Sequence, residues 1–129
     1  KRKIKMTRLR ITFDTIFIEI ETFDTPTAKL ILANLPFTSS AMTWGEEVYF
    51  STPIETALEP SAKSIVEPGE IAYWPTGNAI AIGFGPTPIS VGNEIRLASP
   101  CNIWGKATTN VFDLAQVKPG ELVSINLPG

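Results

Sequence analysis

Two adjacent carboxylates, Glu46 and Glu47, stand directly before the apolar run Val48-Tyr49-Phe50. In a strand, alternation sends them to opposite faces, so they cannot serve together as a close acid/base dyad. One points outward. The other is free to enter a groove, where burial raises a carboxyl pKa and suits it to proton transfer or to a cationic ligand. Adjacent glutamates are more often both solvated, and that is the expectation here. Gly83-Phe84-Gly85-Pro86-Thr87-Pro88 supplies glycines, but its prolines have no N–H, and no Gly-Lys-Ser/Thr step or helix follows to build an anion nest. The stretch reads first as a strand ending in a rigid bend, with Gly83 and Gly85 allowing close packing or positive φ. A stiff exit also makes a preformed groove wall, so the two readings coexist. Cys101 follows Pro100 without a basic neighbour, which favours an inert buried thiol over a nucleophile.

Larger constellations are excluded by composition. The 129 residues contain no histidine and one cysteine, so neither a Cys/His zinc set, nor a Ser-His-Asp triad, nor an intrachain disulfide can be assembled. No metal or cofactor is expected. Six of the eleven basic residues (Lys1, Arg2, Lys3, Lys5, Arg8, Arg10) fall in the first ten positions, leaving five basic against thirteen acidic residues beyond them. That body has the wrong sign for a nucleic-acid surface. The longest apolar stretch is far short of the roughly 20 residues of a membrane helix, and Lys1-Arg2-Lys3 is not followed by an apolar signal segment. The sequence therefore predicts neither nucleic-acid nor membrane partners, and a cytoplasmic location. Residues 1–7 read as a basic arm and 8–129 as one domain, large enough for its own core.

The positioning elements are mostly strands. Leu9, Ile11 and Phe13, then Ile16, Ile18 and Ile20, alternate with polar residues, predicting a hairpin about Asp14-Thr15 with Arg10 facing Glu19 and Arg8 facing Glu21. Thr25 and Pro26 form an N-cap and first helical position, and Ala28, Ile31, Leu32 and Leu35 keep helical spacing until Pro36. A strand is centred on Val48-Tyr49-Phe50 and ends near Pro53, and residues 59–66 could make a helical turn. Val66-Glu67-Pro68-Gly69 and Val117-Lys118-Pro119-Gly120 carry Pro-Gly at a type II turn, launching strands at Ile71–Trp74 and Leu122–Leu127. Pro75-Thr76-Gly77-Asn78 turns the chain into Ala79–Phe84, a Gly/Pro/Ser loop leads to Cys101–Ala107, and Val111–Gln116 suits a last helical turn. About eight short strands imply a closed or nearly closed barrel.

In that order the pieces resemble the cyclophilin fold, through Pro26-Thr27-Ala28 at the helix start and Trp104-Gly105-Lys106-Ala107 at the end of a late strand. A closer resemblance is to small prokaryotic cyclophilin-like proteins. It is carried by Asp24-Thr25-Pro26-Thr27-Ala28, Thr43-Trp44-Gly45-Glu46-Glu47-Val48-Tyr49-Phe50, Gly69-Glu70-Ile71-Ala72-Tyr73-Trp74-Pro75, Gly77-Asn78-Ala79 and Phe84-Gly85-Pro86-Thr87-Pro88. It runs from about residue 8 to 125. The resemblance implies a mainly β fold, a closed eight-stranded barrel with one or two short helices, and no assigned activity. Catalytic cyclophilins place an arginine on the strand after the first helix, where this chain reads Glu46-Glu47-Val48-Tyr49-Phe50, and they use a histidine that this chain lacks. Their catalytic residues do not carry over, and isomerase activity would need Arg96 or Lys106 to reach the groove.

If the strands flanking Pro75–Asn78 pair, Trp74 falls near Ala79, while the facing of Tyr73 and Phe84 is open. Aromatic residues are more often core than site, yet Trp74 beside a proline-rich loop suits a peptide or small apolar ligand. The expected function is binding of a small molecule or an extended peptide in a surface groove. Its candidate residues are Trp44, Glu46, Glu47, Tyr49, Trp74, Asn78, Phe84, Pro86, Thr87 and Arg96. The alternative is a divergent prolyl isomerase or an acid/base enzyme using Glu46 or Glu47, and a homo-oligomer burying the same aromatics is a third course.

Overall fold

A computed structural model describes residues 6–128, so the arm at Lys1, Arg2, Lys3 and Lys5 lies outside the described residues. Strands β1 (Arg8–Thr12) and β2 (Phe17–Thr22) form the opening hairpin. Arg10 pairs with Glu19 and Arg8 with Glu21 in its register, and the Phe13 amide donates to the Ile16 carbonyl across Asp14-Thr15. The Arg10 guanidinium reaches the Glu19 carboxylate at 2.7 Å and lies over the Phe17 ring. Helix α1 (Pro26–Ala33) begins as its sequence dictates, with the Thr25 hydroxyl accepting from the Ala28 amide, and it ends two residues earlier than the periodicity suggests.

Strands β3 (Phe37–Ser40) and β4 (Met42–Thr43) are separated only by Ala41. After them come β5 (Glu47–Ser51), β6 (Lys63–Val66), β7 (Glu70–Trp74), β8 (Ala79–Gly83), β9 (Ile95–Ala107) and β10 (Leu122–Asn126). One antiparallel sheet runs β3-β10-β1-β2-β9-β7-β8-β5-β4. Because its two ends, β3 and β4, are consecutive in the chain, the sheet curls back on itself into a nearly closed barrel. Counting residues 37–43 as one bent stave makes the barrel eight-staved. Val111–Gln116 forms 3-10 turns.

Two expectations are corrected. Residues 63–66 are a strand, not part of a helical turn, because Lys63, Ile65 and Val66 pair with Cys101, Arg96 and Ile95. The late strand starts at Ile95 rather than Cys101 and runs for thirteen residues, through Pro100. Its first half serves β6 and its second half serves β7 and β2, so the chain uses one long strand to leave the barrel wall and return to it.

Alternation divides the side chains into two packed groups. Inward residues such as Ile11, Ile20, Phe50, Ile80, Ile82 and Trp104 fill the barrel, and Ala28 and Ile31 of α1 close one end. A smaller cluster of Val66, Ala72, Ala81, Ile95, Leu97 and Cys101 lies on the outer face of the wall, beneath β6 and the start of β9. A buried polar tie joins α1 to the wall. Asn102 is fully buried, and its amide nitrogen donates to Thr27 Oγ1 (3.0 Å) and the Ala57 carbonyl (2.9 Å), while its Oδ1 accepts from the Glu59 amide (2.8 Å).

Both Pro-Gly turns form as expected, with Gly69 at φ 97° and Gly120 at φ 93°. In each, the next glutamate reaches back to the turn, Glu70 accepting from the Glu67 amide and Glu121 from the Lys118 amide. Nothing lies within 4 Å of a Cβ built at Gly120, so Gly120→Ala has only backbone strain to bear. Urea unfolding of that variant is expected to show a loss of about 1–2 kcal/mol with an unchanged m-value.

Candidate functional site

Strand β8 reads Ala79-Ile80-Ala81-Ile82-Gly83. Its isoleucines enter the barrel, and its small residues face outward. Cross-strand partners share a face: Tyr49 and Ala72 sit opposite Ala81, Trp74 opposite Ala79, and Glu47 opposite Gly83. The result is a large rim around a shallow floor. A pocket of about 160 Å³ opens there, lined by Trp44, Glu47, Tyr49 and Trp74 with Ala81, Leu97, Ala98 and Cys101. Gly83 lets β9 approach from above, since a Cβ there would run into Ile95.

The polar atoms of this pocket are few. Trp74 Nε1 donates to Ser99 Oγ at 2.6 Å, and the Cys101 thiol donates to the Ser99 carbonyl at 3.3 Å. Glu47 is different: only 6% exposed, it has a buried Oε1 without a hydrogen-bond partner among the described residues. Burial raises its pKa from 4.5 to about 7. The Cys101 thiol is pushed up to about 12, first by burial and then by the charge of Glu47, which makes it a poor nucleophile. The expectation that both glutamates are solvated is therefore corrected for Glu47, which the parity of β5 turns under β9.

The ten candidate residues do not share one groove. Trp44, Glu47, Tyr49 and Trp74 meet in the pocket just described. Glu46, Phe84 and Pro86 line a second, wider cleft of about 450 Å³ beside Glu67, Glu94 and Phe112. Phe84 continues the parity of Ile80 and Ile82 and is mostly buried against the barrel core, so it cannot stand beside Trp74, which is paired with Ala79. Asn78 sits in a left-handed turn conformation, its Oδ1 accepting from the Tyr73 hydroxyl at 3.0 Å. Thr87 is buried and donates to the Arg96 carbonyl at 2.5 Å. Arg96 is held by Glu94 at 2.5 Å and lines neither hollow. Lys106 is exposed, in register with Glu21 and Glu70.

The stretch Gly83–Pro88 is a buttress. The Phe84 and Gly85 amides both donate to the Glu46 carbonyl, and the Glu46 amide donates to the Pro86 carbonyl. A Cβ on Gly85 would strike the Glu46 carboxylate, and one on Gly45 would come within 2.8 Å of Pro88 Cδ, so these glycines serve close approach. This clamp fixes the turn that presents Trp44 and Glu47. Ala81, Leu97, Ala98 and Cys101 join the site without being among the ten candidates; for the first of them, the alternation of small with branched residues in β8 is the signal in the sequence.

Among the described residues no group of three or more His, Cys, Asp or Glu side chains is placed to hold a metal ion, and no helix is long and apolar enough to cross a membrane. Chemically the pocket offers three aromatic walls, an apolar floor and one unpaired carboxyl group. A family model described as cyclophilin-like matches residues 7–126. The fold is similar to the solution structure of a hypothetical protein from Archaeoglobus fulgidus, with a TM-score of 0.82 and 36% identity over 98% of each chain. A search of curated proteins finds no match.

Proposed function

The chain belongs to the cyclophilin-like family, and on that footing we propose that it is a binding barrel for a small molecule, held in the pocket between Trp44, Tyr49 and Trp74. The observation that carries this reading is the Glu47 carboxyl, buried without a partner in a hollow whose other walls are apolar. Leaving a buried acceptor unpaired costs roughly 1–3 kcal/mol, a cost that a ligand bearing one donor would remove. The pocket's size fits a small compound rather than a peptide, and a lone buried thiol suits the reducing cytoplasm.

A prolyl isomerase reading has less support, because among the described residues no guanidinium lines the pocket. An acid/base enzyme keeps one favourable observation: a carboxyl titrating near 7 both takes and gives a proton at neutral pH. Glu47→Gln separates the two readings, since a catalyst would keep its ligand and lose turnover.

The location of the site is tested by filling it. Ala81→Leu puts a branched side chain on the pocket floor while leaving the inward face of β8 unchanged. Fragment binding followed by the indole N–H resonance of Trp74 is expected in the wild type and abolished in this variant. Fragments that still shift Trp74 in Ala81→Leu would place the site elsewhere.

A further inference from the structure

The chemistry of the pocket narrows the ligand class. Glu47 brings a carboxyl group that no described residue neutralises: Trp44, Ala81, Leu97 and Cys101 around it carry no positive charge, and the ion pairs of the fold lie elsewhere. Three aromatic side chains line the same space. Aromatic rings attract a cation electrostatically, a gain added to the apolar burial that a neutral ligand also finds. We propose that the pocket takes a small tertiary alkylammonium cation, its single N–H given to the Glu47 carboxylate and its alkyl groups set against Trp44, Tyr49 and Trp74. This rests on the reading of the pocket as a binding site.

The degree of substitution follows from the lining. A primary ammonium carries three N–H donors, and beside the Glu47 carboxylate the lining is mostly aromatic and aliphatic. A tertiary ammonium has one donor for one carboxylate, and its methyl groups find the methyls of Ala81 and Ala98. Glu47 lines the pocket although its Oε1 is buried, so a donor there meets the carboxyl group.

Charge on Glu47 also sets a pH dependence. From β5 itself Tyr49 faces the group; from β9, Cys101; from β7 and β8, Trp74 and Ala81; from the preceding turn, Trp44. Glu46 lines the other cleft. With the thiol neutral until about 12, Glu47 is the group here that changes charge near neutrality.

The experiment titrates the protein with trimethylammonium chloride, with tert-butanol as a neutral compound of similar shape, and with ammonium chloride, reading the Trp74 indole resonance at about pH 8. Trimethylammonium is expected to bind at least about tenfold more tightly than either comparator. The preference should collapse in Glu47→Gln and, independently of any variant, in the wild type at about pH 5.5, where the carboxyl is protonated. Equal or tighter binding of tert-butanol would overturn the cation while leaving the pocket as a binding site. Ammonium binding as tightly as trimethylammonium would overturn the role of the aromatic walls, and hence the proposal. Should none of the three shift Trp74, both the cation and the pocket reading fall.

Discussion

Between about pH 5 and pH 8 the protein is expected to lose about 3 kcal/mol of stability through Glu47 alone. Its carboxyl has a pKa of about 7 in the fold against the ordinary value of 4.5. Across that window the native state holds a proton that the unfolded chain has released, so rising pH favours unfolding. The loss begins near 4.5 and is complete above about 7. Each pH unit between the folded and unfolded pKa values is worth about 1.4 kcal/mol, which gives the figure stated. Two other carboxyls move the opposite way. The Arg96 side chain holds Glu94 below its usual range; at Glu121 burial pushes up, but hydrogen bonds from the Lys118 and Thr15 amides and the Thr15 hydroxyl outweigh it. Their contributions are lost only as pH falls below about 4.5, outside the window. Urea midpoints measured at the two pH values should differ in the wild type and nearly coincide in Glu47→Gln, which should also be the more stable protein at pH 8. An equal slope in the variant would show that Glu47 does not carry the effect.

Asn102→Ala is expected to cost about 2–3 kcal/mol. The substitution takes the partner from the half-buried Glu59 amide and the exposed Ala57 carbonyl, and it deprives the fully buried Thr27 Oγ1 of its donor. Each buried group left unpaired costs roughly 1–3 kcal/mol, and entry of water into the space vacated by the side chain recovers part of that sum. The residue also ties three segments distant in sequence, so α1 should loosen together with residues 57–59. Hydrogen exchange at the Ala28 and Glu59 amides would report this. Protection retained at both positions, with stability near that of the wild type, would mean that the network is dispensable.

Much of the fold is legible in the sequence because the local signals agree with one another. The opening hairpin is written twice, once in the alternation of Leu9, Ile11, Ile18 and Ile20 and again in the facing charges of Arg8 with Glu21 and Arg10 with Glu19. The helix start at Thr25-Pro26 and the turns at Gly69 and Gly120 are set by backbone chemistry that few other residues satisfy. What local signals do not carry is partnership. Lys63-Ser64-Ile65-Val66 is a strand because β9 is there to receive it, and no property of those four residues announces that. Likewise, Ile95–Pro100 reads as loop until β6 is known to lie beside it.

The candidate site shows the same limit at the level of parity. Trp44, Glu47, Tyr49 and Trp74 converge because one register sets their strands opposite the alanines of β8. Once Trp74 is paired with Ala79, Phe84 must face the other way, five residues on. Proximity along the chain groups the two residues, and only the register separates them. The burial of Glu47 is hidden for a different reason: it depends on the first half of β9 folding over the wall, a contact nearly 50 residues distant in sequence.

The thirteen-residue strand that leaves the barrel and returns gives this protein two hydrophobic interiors back to back across one wall. They are shaped by alternate residues of the same strands, so changes on odd positions of β8 leave even ones untouched. The outer chamber can thereby be recut while the scaffold beneath stays intact. A laboratory library confined to Ala79, Ala81, Leu97 and Ala98 would exploit that same independence.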